Sequence, residues 1–174
     1  TGDLGAAYIG LSILERERRL FEQNSGIQPE LSGNDYVLGR QLKPEIPVEV
    51  LNSLRENNIK INSMIDLTDG LASDLMQICK LSGTGSRIFS KQIPVDFETA
   101  RLSEEFEMDP LIPALNGGDD FEMLFTVPLE SYEKIKLIKG VSIIGHITES
   151  GSGNYLVGPE GSEVELTAQG WVKN

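Results

Sequence analysis

Apolar residues recur every three or four positions near the start of the chain, at Leu4, Ala7, Tyr8, Leu11 and Leu14. This spacing places them on one face of a helix, which Asn24-Ser25-Gly26 is expected to end. Residues 32–58 favour two further helical pieces, because Pro44 and Pro47 interrupt the pattern between them.

The middle of the chain alternates short apolar runs with helical patterns. Residues 61–67 predict a buried strand, and the pattern from Leu71 to Cys79 predicts a helix that Gly83 ends, with Asp74 on its polar face. Further strands are predicted at 86–90, 121–127 and 141–148, helices at 96–106, 109–115 and 129–138, and a β-hairpin within 151–173. This order predicts a single α+β domain, a layered mixed sheet with flanking helices.

The composition is that of one globular domain. The chain has 174 residues, of which 39% are hydrophobic, so a single core can form without a metal or a disulfide. Cys79 is the one cysteine and lies on an apolar stripe, which predicts a core residue and excludes a disulfide framework or a four-cysteine zinc site. A reducing, cytoplasmic setting is expected. Because Thr1 and not Met comes first, we expect a piece of a longer protein.

Acidic residues dominate the charge. There are 27 Asp and Glu against 15 Lys and Arg, a formal net charge of −12. Such a surface repels nucleic-acid phosphates and anionic lipids, so neither is an expected partner. A phosphorylated small molecule is compatible only if divalent cations lie between its phosphates and the carboxylates. No apolar run approaches the roughly 20 residues that cross a bilayer.

The first acidic segment, residues 66–70, has the sequence DLTDG and joins the predicted strand to the predicted helix. Asp66 would end the strand, Asp69 would stand at the mouth of the helix, and Thr68 offers a hydroxyl between them. Mg²⁺ is typically bound by one or two carboxylates with waters and phosphate oxygens, so this corner is a candidate magnesium site. Alternatively, Thr68 or Asp69 caps the helix. The spacing of the acids excludes an EF-hand.

The second acidic segment, residues 117–122, has the sequence GGDDFE. Its two glycines would let the backbone approach a ligand closely, and Asp119 and Asp120 would begin a strand with their side chains on opposite faces. The alternative is a glycine-rich turn with solvated acids. No GxxxxGK[ST] loop is present, so a nucleotide kinase built on this chain would hold phosphates through metal ions or through parts of a longer protein.

Taken together and in order, these runs resemble the C-terminal half of the thiamine-monophosphate kinase family, in the superfamily of aminoimidazole ribonucleotide synthetase. The matching runs are TGDLG at 1–5, MIDLTDGLASDL at 64–75, GGDDFEM at 117–123, IGHIT at 144–148 and GW at 170–171. The resemblance implies the fold of the C-terminal domain of aminoimidazole ribonucleotide synthetase. It implies that residues 1–174 are a single C-terminal domain of a two-domain kinase whose N-terminal domain is absent.

The resemblance also implies an activity. Such a kinase transfers the γ-phosphoryl group of ATP to thiamine monophosphate, gives thiamine diphosphate, and uses Mg²⁺ without a covalent enzyme intermediate, so no catalytic side chain is assigned. By matching position, Asp66 and Asp69 would bind Mg²⁺, and Thr68 would contact ATP. Asp119 stands where the family has Glu and would contact the substrate. Trp171 would pack against the thiamine, whose cationic ring suits an aromatic partner.

The missing half limits what this chain can do alone. In the family the N-terminal domain supplies more magnesium ligands, much of the ATP site and the homodimer contact, so we expect the 174 residues alone to have little or no activity. Whether Asp120 binds metal stays open. Two alternatives also stay open: another ATP-dependent enzyme of the superfamily with a different substrate, or a non-catalytic acidic module that binds a protein.

Overall fold

The structure, a computed structural model, describes residues 1–24 and 26–167. Its helices within that part are α1 (Ala6–Gln23), α2 (Asp35–Leu42), α3 (Val48–Glu56), α4 (Leu71–Ser82), α5 (Phe97–Glu105), α6 (Leu111–Asn116) and α7 (Tyr132–Ile135). Its strands are β1 (Ser63–Asp66), β2 (Gly85–Phe89), β3 (Met123–Thr126), β4 (Gly145–Thr148), β5 (Asn154–Val157) and β6 (Glu163–Glu165). None of the helices in these ranges has both the length and the apolar content to cross a bilayer.

The strands form two sheets. β1 pairs antiparallel with β3, so that Asp66 stands opposite Met123. The other sheet has the order β4-β2-β5-β6, in which β2 and β5 are parallel and the other pairs are antiparallel. Mixed sheets flanked by helices confirm the predicted α+β class, and β5 and β6 confirm the predicted hairpin.

The prediction of a buried strand at 61–67 is wrong in one respect. β1 has exposed residues at alternate positions, and Met64 retains 36% of its surface. The reason is that β1 and β3 form a sheet of two strands within the described residues, so one face of β1 meets solvent. Asp66 is therefore exposed at the carboxyl end of a half-buried strand.

The helix α4 confirms its prediction and anchors the core. Leu71, Leu75 and Cys79 are at most 4% exposed and belong to one apolar cluster with β2 and α6. Each fully buried side chain of leucine size contributes roughly 1.5–3 kcal/mol to folding. Gly83 follows the helix in the left-handed conformation, with φ of 65°, and ends it as expected. The residues before α4 are therefore attached to a fixed element.

Candidate functional site

Backbone hydrogen bonds join the two acidic segments side by side. The Asp119 N–H donates to the Thr68 carbonyl at 3.1 Å, and the Phe121 N–H donates to the Leu67 carbonyl at 3.0 Å. In the other direction the Leu67 N–H donates to the Glu122 carbonyl at 2.8 Å. Two runs of sequence about fifty residues apart thus form one acidic corner at the end of the β1–β3 sheet.

The glycines of the second acidic segment permit this close approach. Gly118 has φ of +72°, and a Cβ atom placed on it would lie 2.4 Å from the Thr68 carbonyl oxygen. A Cβ atom on Gly117 would lie 2.4 Å from the Pro113 carbonyl oxygen. Close approach of the chain's own backbone therefore requires both glycines: a Cβ atom on Gly118 would separate the two segments, and one on Gly117 would clash with α6.

The helix-capping alternative for the first acidic segment is wrong. The residue before α4 is Gly70, and no side chain caps this end of the helix. Instead Asp74, inside the first turn, accepts hydrogen bonds through Oδ2 from the N–H groups of Thr68 at 3.0 Å and Asp69 at 3.1 Å. The side chains of Thr68 and Asp69 are therefore not used as caps.

Asp74 itself was expected on the polar face of α4, and it is 2% exposed. It lies inward because two N–H groups of the preceding loop point at it and satisfy its oxygen. Burial raises the pKa of this carboxyl above its usual value, and the two N–H groups oppose that shift. The negative charges of Asp69 and Asp66 add to the rise.

Three carboxylates remain on the outside of the corner. Asp66, Asp69 and Asp119 are exposed. In the described part of the chain, the hydrogen bonds and ion pairs of this region are made by Asp74, Asp120 and Glu122 and not by these three side chains. Asp119 has φ of +57°, a left-handed conformation that is strained for a residue with a side chain. The structure therefore brings together the predicted metal residues and the predicted substrate residue.

The residues present suit magnesium in one particular way. Residues 1–24 and 26–167 contain no group of three or more His, Cys, Asp or Glu side chains placed to enclose a metal ion. Mg²⁺, however, commonly binds one or two carboxylates and completes its shell with waters and phosphate oxygens. The exposed Asp66 and Asp69 carboxylates can provide such a partial set of ligands.

Asp120 points the other way. The residue is 2% exposed, and both carboxylate oxygens lie 3.0 Å from the backbone nitrogen of Gly5 at the start of α1 and accept its N–H. The positive end of a helix favours a carboxylate at this place. Burial nevertheless raises the pKa of Asp120 to about 7, with the Gly5 N–H and the Arg40 charge opposing the rise. Asp120 therefore fastens the second acidic segment to α1.

Glu122 is a buried residue that the sequence did not identify. The residue is 4% exposed, and its carboxylate accepts a hydrogen bond from the Arg40 Nη1 atom of α2 at 3.0 Å. The other terminal nitrogen of Arg40 donates to the Asp3 carbonyl at 3.1 Å, and the Asp3 carboxylate accepts from the Tyr36 hydroxyl at 2.7 Å. No signal in the sequence identified it, because Asp119 with φ of +57° and Phe121 with φ of +53° are not extended, so the alternation of a strand does not decide which side chains point inward.

Two other predicted features lie apart from the corner. Trp171 falls outside the residues that the structure describes. An apolar cavity of about 570 Å³ lies between β3 and β4, and none of the described site residues lines it. His146 borders that cavity and packs against Phe89, with ring centres 5.8 Å apart and the ring planes tilted by 40°.

Comparison with known proteins gives a consistent set of relatives. No family model matches the chain. The thiamine-monophosphate kinase of Buchnera aphidicola subsp. Schizaphis graminum is 34% identical over 164 residues, covering 90% of this chain and 46% of that protein. The thiamine-monophosphate kinase of Bacillus subtilis is 29% identical over 178 residues, covering 98% of this chain and 50% of that protein. The chain spans about half the length of the curated relatives it matches.

Solved structures share the fold. The thiamine monophosphate kinase from Aquifex aeolicus superposes with a TM-score of 0.70 at 25% identity, over 95% of this chain and 50% of that one. AaThiL complexed with AMPPCP and TMP gives 0.72 at 24% identity, over 99% and 50%. Escherichia coli HypE, a hydrogenase maturation protein, gives 0.65 at 16% identity over 98% and 48%, which shows a common fold alone.

Proposed function

The chain belongs to the thiamine-monophosphate kinase family, and we propose that it forms the C-terminal half of such a kinase. The whole enzyme would transfer the γ-phosphoryl group of ATP to thiamine monophosphate and give thiamine diphosphate. Support comes from the named relatives, each matched over about half its length. Further support is that the similar AaThiL was solved with AMPPCP and TMP. The enzyme is accordingly a transferase of thiamine biosynthesis that binds ATP.

The observation that carries this proposal is the acidic corner. Asp66, Asp69 and Asp119 are exposed on two segments that are bonded to each other through their backbones. We assign Asp66 and Asp69 as ligands of Mg²⁺, and Thr68 as a contact of ATP. Asp119 and Trp171 are assigned to the thiamine phosphate. Bound Mg²⁺ would neutralise charge on the phosphates during the transfer.

The chain's own part in the reaction is to position the reactants and to bind phosphates only together with a metal ion. Phosphoryl transfer of this kind needs little covalent chemistry from the protein, and alignment of the reactants with charge stabilisation supplies most of the rate. A chain of net charge −12 repels phosphates unless cations intervene, so the exposed acids make binding depend on the metal. The backbone bonds between the two segments fix the spacing between the metal ligands and Asp119.

Several expectations accompany this proposal. The other half of the kinase would supply further magnesium ligands, the remainder of the ATP site and a homodimer contact, so the 174 residues alone should have little or no activity. A cytoplasmic setting and the lack of nucleic-acid or membrane partners also stay predictions.

The decisive experiment removes the two proposed metal ligands from the complete kinase that contains this chain. The double variant Asp66→Asn with Asp69→Asn should lower turnover by at least about 100-fold, because phosphate charge is no longer bridged to the protein. ADP formation from ATP and thiamine monophosphate is measured across a range of Mg²⁺ concentrations. The matched control, Glu104→Gln with Glu130→Gln, removes two charges from exposed positions outside the corner and should retain full turnover.

Other outcomes identify the alternatives. Unchanged turnover and magnesium dependence in the double variant would contradict the proposal and favour a non-catalytic acidic module. An unaltered kinase that consumes ATP with another phosphate acceptor but not with thiamine monophosphate would favour a different substrate within the superfamily. Turnover by the 174 residues alone would contradict the expectation that activity requires both halves of the kinase.

A further inference from the structure

We infer that Asp74 is a positioning residue of the proposed magnesium site. Its buried carboxylate holds the backbone of the first acidic segment so that Asp66 and Asp69 present their carboxylates outward together. Asp74 would touch neither metal nor substrate, and it would act through Thr68 and Asp69. This inference rests on the proposed function.

The geometry shows how the segment is held. One oxygen, Asp74 Oδ2, accepts from both the Thr68 N–H at 3.0 Å and the Asp69 N–H at 3.1 Å. Two successive N–H groups that converge on one oxygen fix the peptide planes on either side of Thr68. Gly70, which follows with φ of +95°, supplies no side chain that could do this instead. The direction of Asp69 is therefore set by Asp74.

The anchor is itself immobile. Asp74 lies in the first turn of α4, between Leu71 and Leu75, which are 0% and 4% exposed in the core. Close-packed core residues leave little room for movement, so the position of Asp74 is fixed by its neighbours. The place of the two outward acids is thus tied to the apolar core through one carboxylate.

Electrostatics explains why this anchor is charged. Asp66 and Asp69 lie close enough to repel the Asp74 carboxylate, and Asp74 is buried. An asparagine could accept the same two hydrogen bonds without that repulsion. When a divalent cation is bound by Asp66 and Asp69, the negative charge of Asp74 attracts the cation, and this attraction outweighs the repulsion among the three carboxylates. A buried aspartate is what a metal-binding loop requires here.

The test measures metal binding by the complete kinase that contains this chain, with ATP present to supply phosphate oxygens and with Mn²⁺ as the probe. Titration followed by paramagnetic broadening of amide NMR signals gives both the affinity and the location of the ion. Asp74→Ala should weaken Mn²⁺ binding about 10-fold, the usual loss when a supporting partner of a metal ligand is removed. Asp74→Asn keeps the two hydrogen bonds and should give a smaller loss. Amide exchange at Thr68 and Asp69 should accelerate in Asp74→Ala.

Asp96 provides a matched control. It caps α5 by accepting the Glu98 N–H at 2.8 Å, so Asp96→Ala also removes an aspartate that serves a backbone N–H at the start of a helix. Its loss of stability, about 1 kcal/mol, should leave Mn²⁺ affinity unchanged. Comparing the two variants separates general destabilisation from positioning of the metal ligands.

The outcomes separate this inference from the function on which it rests. If Asp66→Asn with Asp69→Asn binds Mn²⁺ at this corner as the unaltered kinase does, or if the unaltered kinase with ATP binds no Mn²⁺ there, the metal site and this inference are both contradicted. If that double variant loses binding while Asp74→Ala and Asp74→Asn keep the full affinity, only the inference is overturned. If Asp74→Ala does not fold, Asp74→Ser replaces it, because its shorter side chain does not reach both N–H groups. Weaker Mn²⁺ binding by this folded variant supports the inference, and unchanged binding overturns it.

Discussion

The two acidic segments meet at one corner but are held there in different ways. The first, residues 66–70, is fastened by Asp74, which lies six residues after Thr68 and five after Asp69. The second, residues 117–122, is fastened by the Gly5 N–H, 115 residues from Asp120, and by Arg40, 82 residues from Glu122. One segment is organised by its own helix, and the other by helices from the start of the chain.

The contrast has a functional meaning. Each segment has a buried carboxylate as its anchor, Asp74 in the helix that follows the first segment and Asp120 within the second, while Asp69 and Asp119 stay exposed. Among the described residues, the anchor of the first segment is hydrogen-bonded by two backbone N–H groups. The second segment also requires a guanidinium, because it buries two carboxylates, Asp120 and Glu122. The second segment should therefore be the more sensitive of the two to distant substitutions and to pH.

The largest effect is expected from removing the distant cation. Arg40→Ala leaves the Glu122 carboxylate buried at 4% exposure without its ion-pair partner. The free energy of unfolding should fall by about 3–5 kcal/mol, as measured by chemical denaturation. Arg101→Ala, which breaks two exposed pairs with Glu98 and Glu105, should cost less than about 1 kcal/mol. Equal losses in the two variants would contradict the importance of the remote anchor.

A second variant separates the segments without touching either anchor. Gly118→Ala places a Cβ atom 2.4 Å from the Thr68 carbonyl oxygen at φ of +72°, and should cost about 2–4 kcal/mol. Amide exchange at Asp119 and Phe121 should accelerate, because their N–H groups bond the first segment.

Gly33→Ala is the control for that variant. Gly33 has φ of +77° with nothing within 4 Å, so it should show backbone strain alone, about 1 kcal/mol. If the two alanine variants were equally stable, close approach of the segments would not be the reason for Gly118.

The smallest of the three effects is a dependence on pH. The pKa of Asp120 is raised by burial to about 7, whereas an aspartate in an unfolded chain ionises near 4. Between these values the folded chain binds the extra proton, so the free energy of unfolding falls as the pH rises from about 4 to 7. The decrease from this group should be roughly 2 kcal/mol between pH 5 and 7. Asp3 and Arg40 are the charged side chains that act on it.

Denaturation of Asp120→Asn over the same pH range measures this contribution, since an asparagine has no proton to release. The slope should become flatter than that of the unaltered chain. Asp109→Asn, at an exposed position, should keep the original slope. An unchanged slope in Asp120→Asn would show that Asp120 is not the group that takes up the proton.

Much of the fold followed from local patterns. Helix α4, its end at Gly83 and the core position of Cys79 were predictable because an apolar stripe and a glycine act over a few residues. The exposed Asp66 and Asp69 were also predictable as candidate ligands, because they adjoin the junction of a strand and a helix. The sequence by itself thus determined the α+β class, most elements and the exposed chemistry of the corner.

Only the tertiary structure decided which acids face inward. Asp74 was predicted on the polar face of α4, and solvated acids in a glycine-rich turn were one of the two alternatives for residues 117–122, yet Asp74, Asp120 and Glu122 are buried. The direction of a carboxylate depends on where its donors lie, and those donors come from a preceding loop, from α1 and from α2. The donors to Asp120 and Glu122 lie 115 and 82 residues away and leave no periodic signal, because packing alone brings these groups together. The donors to Asp74 are five and six residues away, but they point at it only because the loop folds back over the first turn of α4.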